Sequence, residues 1–208
     1  MAQRNFWKIQ NGVVVKSIED FKWEPGMSTA QRRRSCINLH NVLKSKGYTP
    51  LDISSASPDE FGVKLSAFNL MWNGKTVECW YQGSKVYKNA GVQHHLYNVS
   101  SREAKKSMKA LAGDQLIGFN LNGTVFPMSP KTVFYDWIYL NGLIQSYGKE
   151  LDFSAYDCFT DIQAVINIDA CQAKTVCIYT LIQQQNRFDE VMKDFDAFLK
   201  WHTTFVKC

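Results

Sequence analysis

VKLSAFNLMWNGKTVECWYQGSKVY, residues 63–87, carries the densest local signals in the chain. An extended segment is expected from Val63, turning at Asn73-Gly74, a dipeptide that tolerates positive φ and marks tight hairpins. A helix is expected next, because Glu78, Gln82 and Lys85 recur at i, i+4 and i+7. On that helix a carboxylate, an amide and an ammonium share one stripe, while Val77, Trp80, Tyr81 and Val86 cover the rest. A helix so clothed belongs inside, and a buried ionisable stripe is costly unless it lines a cavity or is paired. A half-exposed helix with a solvated Glu78 and Lys85 fits the same spacing.

Outward from this stretch the composition sets bounds. The chain has 208 residues, 45% of them hydrophobic, enough to bury a full core, so one domain over 1–208 is the expectation. No apolar run approaches the roughly 20 residues that cross a bilayer, and MAQRNFWKIQ lacks the apolar core of a signal peptide. A soluble, cytoplasmic protein without a membrane partner is therefore expected. The six cysteines form no C-x-x-C pair, so they read as buried thiols. His94 and His95 are adjacent and point apart, with no further ligand at metal spacing, and no metal or cofactor is expected. The net charge is +5, partly from Arg32-Arg33-Arg34, but three consecutive arginines spread around a helix and read as solvated surface.

Taken in order, a short strand is expected near Gly12–Lys16, then a helix from Thr29 to Lys46 with a Ser28/Gln31 capping box and Gly47 beyond its end. Ser57-Pro58-Asp59-Glu60 signals a short helical turn leading to a strand at Lys64. Ser100 and Glu103 form a second capping box, and the helix they open stops near Gly113. Leu116–Phe126 alternates around Asn122-Gly123 as a hairpin. Ser129-Pro130 opens a long apolar helix ending at Gly148; Cys171–Gln184 reads as a buried helix and Arg187–Phe205 as an amphipathic one. The fold class is α+β: a mostly helical chain with a small antiparallel sheet, formed around Leu65–Met71 and Leu116–Phe126.

The order Leu65-Ser66-Ala67-Phe68, Gly74-Lys75-Thr76, then Glu78, Tyr81, Gln82, Lys85 and Tyr87 resembles the NADAR (YbiA-like) family, which carries F-S-N-F, G-K-T and E-H-x-F-Q-x-x-K-F at similar spacing. Val99-Ser100-Ser101-Arg102-Glu103-Ala104 resembles the family's Val/Ile-x-x-x-Ser-Pro helix opening. The likeness is good over Val63–Lys106, faint over Pro130–Tyr147 and Cys171–Gln184, and absent from the first sixty residues. Hence 1–60 is expected as an N-terminal addition and 186–208 as a covering helix. Four departures stand out: Ala67 for asparagine, Cys79 for histidine, Arg102 for proline, and no Trp-Gly-Asp loop. Ser146-Tyr147 replaces a Lys-Phe pair.

The resemblance implies action on N-glycosidic bonds of ribosides. Some members hydrolyse early riboflavin intermediates; others remove ADP-ribose from modified guanine in DNA. Cleavage passes through an oxocarbenium-like state, which a carboxylate can stabilise while an ammonium protonates the leaving nitrogen or holds phosphate. Glu78 and Lys85 are the expected catalytic pair. Ser66, Phe68, Asn69, Trp80, Tyr81, Gln82, Ser101, Arg102 and Lys105 are expected to bind substrate, with Asp161 or Asn167 standing in for the missing loop. The expected ligand is an ADP-ribose-containing riboside, within an ADP-ribosylated nucleic acid among others. Hydrolysis and non-hydrolytic binding of the same ligand remain two readings of this site, and the sequence is silent on oligomeric state.

Overall fold

The structure, a computed structural model, describes residues 1–26, 28–130, 132–164 and 171–207. The chain forms two compact units: Met1–Ser66 with Tyr147–Cys208, and Ala67–Ser146. The first stretch carries β1 (Ala2–Gln10), β2 (Val13–Phe21), α1 (Thr29–Ser45), β3 (Pro50–Asp52) and α2 (Glu60–Lys64). The middle carries β4 (Met71–Trp72), β5 (Lys75–Thr76), α3 (Val77–Gly83), β6 (Lys85–Tyr87), β7 (Gly91–Val92), α4 (Ser101–Ser107), β8 (Leu116–Leu121), β9 (Thr124–Phe126) and α5 (Val133–Tyr147). The chain closes with β10 (Cys158–Thr160), α6 (Gln172–Gln184), α7 (Phe188–Val191), α8 (Phe195–Phe205) and β11 (Val206–Lys207). The α+β class is as expected, and among the described residues no helix is long and apolar enough to cross a membrane.

The first unit is built on a mixed five-stranded sheet, ordered β11-β2-β1-β10-β3. β1 and β2 form a nine-pair antiparallel hairpin from Ala2↔Phe21 to Gln10↔Val13. β10 pairs antiparallel with β1 and parallel with β3. Strand alternation sends Phe6 and Trp7 to opposite faces. Phe6 joins Phe21, Leu39, Leu43 and Cys158 beneath α1, whose buried stripe Ser35, Cys36, Leu39, His40 and Leu43 follows the helical period. On the other face α6 packs on β1, with Lys174 Nζ 5.9 Å from the Trp7 ring centre. Residues Gln172 to Ile182 of α6 are all buried, the mark of a core helix.

Local chemistry sets several boundaries as read. Ser28 and Gln31 make the capping box of α1, worth about 1 kcal/mol. Ser100 and Glu103 do the same for α4. Asn73 (φ 45°) and Gly74 (φ 78°) form the tight turn between β4 and β5.

Other boundaries differ. The segment from Val63 does not run extended: Asp59 caps α2 by accepting from Phe61 N at 2.8 Å, and α2 lies against the end of β3. A Cβ on Gly62 would fall 1.9 Å from the Asp52 carbonyl oxygen, so glycine is what permits this approach. The strand expected around Leu65–Met71 shrinks to Met71–Trp72. The second unit's four-stranded antiparallel sheet, β7-β6-β8-β9, instead pairs the Leu116–Phe126 hairpin with Lys85–Tyr87. α5 starts at Val133, because Thr132 has φ 78° and cannot continue a helix. The helix expected from Arg187 is two, since Asp194 restarts it by accepting from Ala197 N at 2.8 Å.

Candidate active site

Thr76 opens α3, its Oγ1 accepting from Cys79 N at 3.3 Å. Glu78 therefore lies in the first turn, where a carboxylate suits the positive end of the helix. One turn on, Gln82 Nε2 donates to Glu78 Oε1 at 2.7 Å, as the i, i+4 spacing predicts.

Lys85 departs from that stripe. A Cβ on Gly83 would fall 2.3 Å from Tyr97 Cδ1, so the helix closes here against Tyr97. Ser84 caps it, and the Ser84 carbonyl accepts from Asn120 N at 2.7 Å. Lys85 then enters β6 opposite Phe119. Sheet pairing, a long-range force, overrides the helical period that links 78, 82 and 85.

The site survives this change of element. Lys85 Nζ rests 4.6 Å from the centre of the Tyr81 ring and makes no hydrogen bond or ion pair among the described residues. Burial, with the charge of Lys105, pulls its pKa from 10.5 down to about 8, while Glu78 pulls it back up. Glu78 is only 4% exposed. Its Oε1 also meets Lys105 Nζ at 3.5 Å, reaching in from α4. Its Oε2 accepts no hydrogen bond among the described residues. The buried Gln82 Oε1 likewise finds no donor there. Tyr81 is held by Phe119 of β8, stacked at 5.8 Å, and by Tyr135 of α5, edge-on at 4.9 Å.

The second unit thus assembles a buried carboxylate and a buried amide, each with an oxygen that accepts no hydrogen bond among the described residues, and an ammonium of lowered pKa over an aromatic face. Such a set can stabilise a cation, donate a proton and orient a polar ligand.

Of the other expected residues, Lys105 joins this group. Trp80 does not: its Nε1 donates to the Trp72 carbonyl at 2.6 Å and its ring packs on Trp72 and Tyr97, so it is the core member of the aromatic pair. Ser101 bonds Thr76 Oγ1 at 2.7 Å and the Phe68 carbonyl at 3.2 Å, tying α4 to the chain before α3. Phe68 is half-buried, and Asn69 and Arg102 are exposed; Arg102 has no partner among the described residues. Ser66 and Asp161 fall in the first unit. There Asp161 is buried and accepts from Gln163 N, Ala164 N and Gln172 Nε2, a corner after β10. Asn167 lies outside the described residues. An open groove of about 510 Å³ on the second unit is lined by Lys75, Thr76, Cys79, Tyr97 and Ser101 among others, and of the expected site residues Ser101 alone lines it. His94 stacks on Tyr97 and bonds the Asn120 carbonyl, a supporting contact. Cys36, His40 and Asp52 come together in the first unit, a cluster that sequence reading does not find. Nor does it find Phe119 and Tyr135, whose positions only the tertiary fold reveals.

Comparison with protein families matches residues 2–207 to NADAR-DarT1, described as a DarT1-associated NADAR antitoxin. The chain belongs to this NADAR family. No curated protein matches it. The family match reaches through the first sixty residues, which hold none of the motifs that carry the resemblance but supply β1, β2 and α1 of the first unit. Of the NADAR departures, Cys79 donates its thiol to the Val99 carbonyl at 3.2 Å, on the groove rather than beside Glu78. Ala67 is buried, and its carbonyl accepts from Glu78 N at 3.0 Å.

Proposed function

We propose that this NADAR protein is an N-glycosidic bond hydrolase that removes ADP-ribose from a modified base, with guanine in DNA as the leading substrate. The observation that carries this reading is that the stretch bearing the family motif holds a buried carboxylate, Glu78, within electrostatic reach of an ammonium, Lys85, that has no ion pair among the described residues. The antitoxin description fits an enzyme that reverses a modification.

Glu78 Oε2 faces the anomeric carbon and takes a proton from the attacking water as the C–N bond lengthens. Lys85 gives its proton to the departing base nitrogen. Water's oxygen ends on C1 of the ribose, and the base leaves with a restored N–H. Gln82 and Lys105 hold Oε1, fixing which oxygen works. Gln82 Oε1 accepts from a ribose hydroxyl. Lys105 and the exposed Arg102 take the pyrophosphate, for which charge-assisted contacts are the strong ones. A low-dielectric wall strengthens each of these interactions where charge develops.

Purified protein incubated with an ADP-ribosylated guanine oligonucleotide, NAD or a riboflavin-pathway riboside, followed by chromatography, tests the reading. Free ADP-ribose from the oligonucleotide alone is the expected product. Tight binding without product would assign the site to a non-hydrolytic ADP-ribose-binding module.

A further inference from the structure

Cys36 and His40 stand one turn apart on the buried face of α1, and Asp52 ends β3. Their exposures are 0, 7 and 0%. One ligating atom from each lies within 4.8 Å of the others. Cys36 Sγ is 3.6 Å from His40 Nε2. Thr160 Oγ1 lies 3.0 Å from the same nitrogen and donates to Asp52 Oδ2 at 2.9 Å. A sulfur, a nitrogen and two oxygens therefore converge on one point beneath the apolar side chains of Phe6, Phe21, Leu39 and Leu43.

From these positions we infer that Cys36, His40 and Asp52 form a closed structural zinc site, with the Thr160 hydroxyl as the neighbouring fourth donor.

The distances fit that ion. Zinc bonds of about 2.3 Å to sulfur and about 2.0–2.1 Å to nitrogen, opened to a tetrahedral angle, put the two ligands about 3.5 Å apart. The donor set fits as well, since thiolate and imidazole favour zinc over calcium or magnesium, which take oxygen ligands. Charge supplies a third reason. Asp52 forms no ion pair among the described residues. A divalent cation flanked by one thiolate and one carboxylate is locally neutral, which removes the cost of a buried anion. Binding displaces the Cys36 thiol proton, so affinity grows with pH. Ser54 Oγ donates to Asp52 Oδ1 at 2.5 Å and Ile162 N to Oδ2 at 2.8 Å, the outer-shell support that ligating carboxylates use. The ion would tie α1 to the β3–β10 edge of the sheet; it takes no part in glycosidic chemistry.

The test uses the full chain. Wild type and Cys36→Ala are loaded with zinc, desalted and analysed for metal by mass spectrometry; parallel samples receive cobalt(II) for absorption spectroscopy. Wild type is expected to retain about one zinc per chain, to show a thiolate-to-cobalt charge-transfer band, and to melt several degrees lower after chelation. Cys36→Ala, a small-for-small core change, is expected to retain none and to melt the same with or without chelator. Three results would overturn the site: folded wild type without bound zinc, cobalt spectra without the thiolate band, or equal zinc in Cys36→Ala. Should that variant not fold, the wild-type cobalt spectrum and chelation shift decide alone.

Discussion

Asp52 in the first unit and Glu78 in the second are both buried carboxylates at secondary-structure ends, and the two are used differently. In the first, Asp52 accepts from Ser54, Thr160 and the Ile162 amide, so both its oxygens are held by the protein. In the second, Glu78 spends one oxygen on Gln82 and Lys105, and among the described residues its other oxygen has no hydrogen bond and Lys85 no ion pair. Burial alone does not separate them, at 0 and 4% exposed. The hydrogen-bond shell does: Asp52 has donors on both oxygens and serves the fold, whereas Glu78 keeps one oxygen for a substrate.

The sharpest way to break this contrast is to neutralise each carboxylate. Glu78→Gln keeps shape and hydrogen-bonding size, so turnover should fall by about 10² to 10⁴, or about 2.7–5.5 kcal/mol of transition-state stabilisation, with an unchanged melting curve. An unstable Glu78→Gln would make Glu78 a structural residue too. Asp52→Ala should show the reverse, losing about 3 kcal/mol or more in chemical denaturation because three buried donors are left without an acceptor. A variant that denatures like wild type would remove the distinction.

Lys85 sharpens the comparison further. Lys85→Met should cost activity about tenfold to a hundredfold while the protein holds or gains stability, since a desolvated cation is removed. The pH profile carries the same signature. With a folded pKa near 8 against an ordinary 10.5, the unfolded chain binds more protons between those values. Stability should therefore rise from pH 8 to 10.5, and Lys85→Met should flatten that rise. Activity that needs the ammonium should decline above about pH 8; a rate that climbs there would make Lys85 a base or nucleophile instead. The smallest effect is expected at Arg102. Arg102→Ala should weaken binding of an ADP-ribosylated strand only a few-fold and lessen its salt dependence, measured by titration at low and high salt.

What the sequence revealed tracks how local each signal is. The capping boxes at Ser28/Gln31 and Ser100/Glu103 and the Asn-Gly turns need only neighbouring residues, and all appear where read. The Glu78–Gln82 bond is equally local. β1 escapes the sequence reading although its main signal is local: Asn11 (φ 52°) and Gly12 (φ 72°) turn it into a nine-pair hairpin with β2, while its pairing with β10, Phe6 with Thr160 among it, is remote. Lys85 was assigned to the helix because its spacing fits, while Ser84–Asn120 and Lys85–Phe119 pairing draws it into a sheet. The same limit explains the site. Glu78, Gln82 and Lys85 were legible from one stretch and a family resemblance; Tyr135, Phe119 and the contact of Lys105 with Glu78 required the fold. Asp161, read as a stand-in for a binding loop, is tied up by its own turn and by Gln172.

The central claim is that the open shell of Glu78 works on a glycosidic bond. Its most direct test is the intact mass of an oligonucleotide bearing one ADP-ribosylated guanine, before and after exposure to the wild-type protein. The account predicts that the strand returns to its unmodified mass with free ADP-ribose in solution; a strand that keeps its adduct through prolonged incubation with folded, strand-binding protein would contradict it.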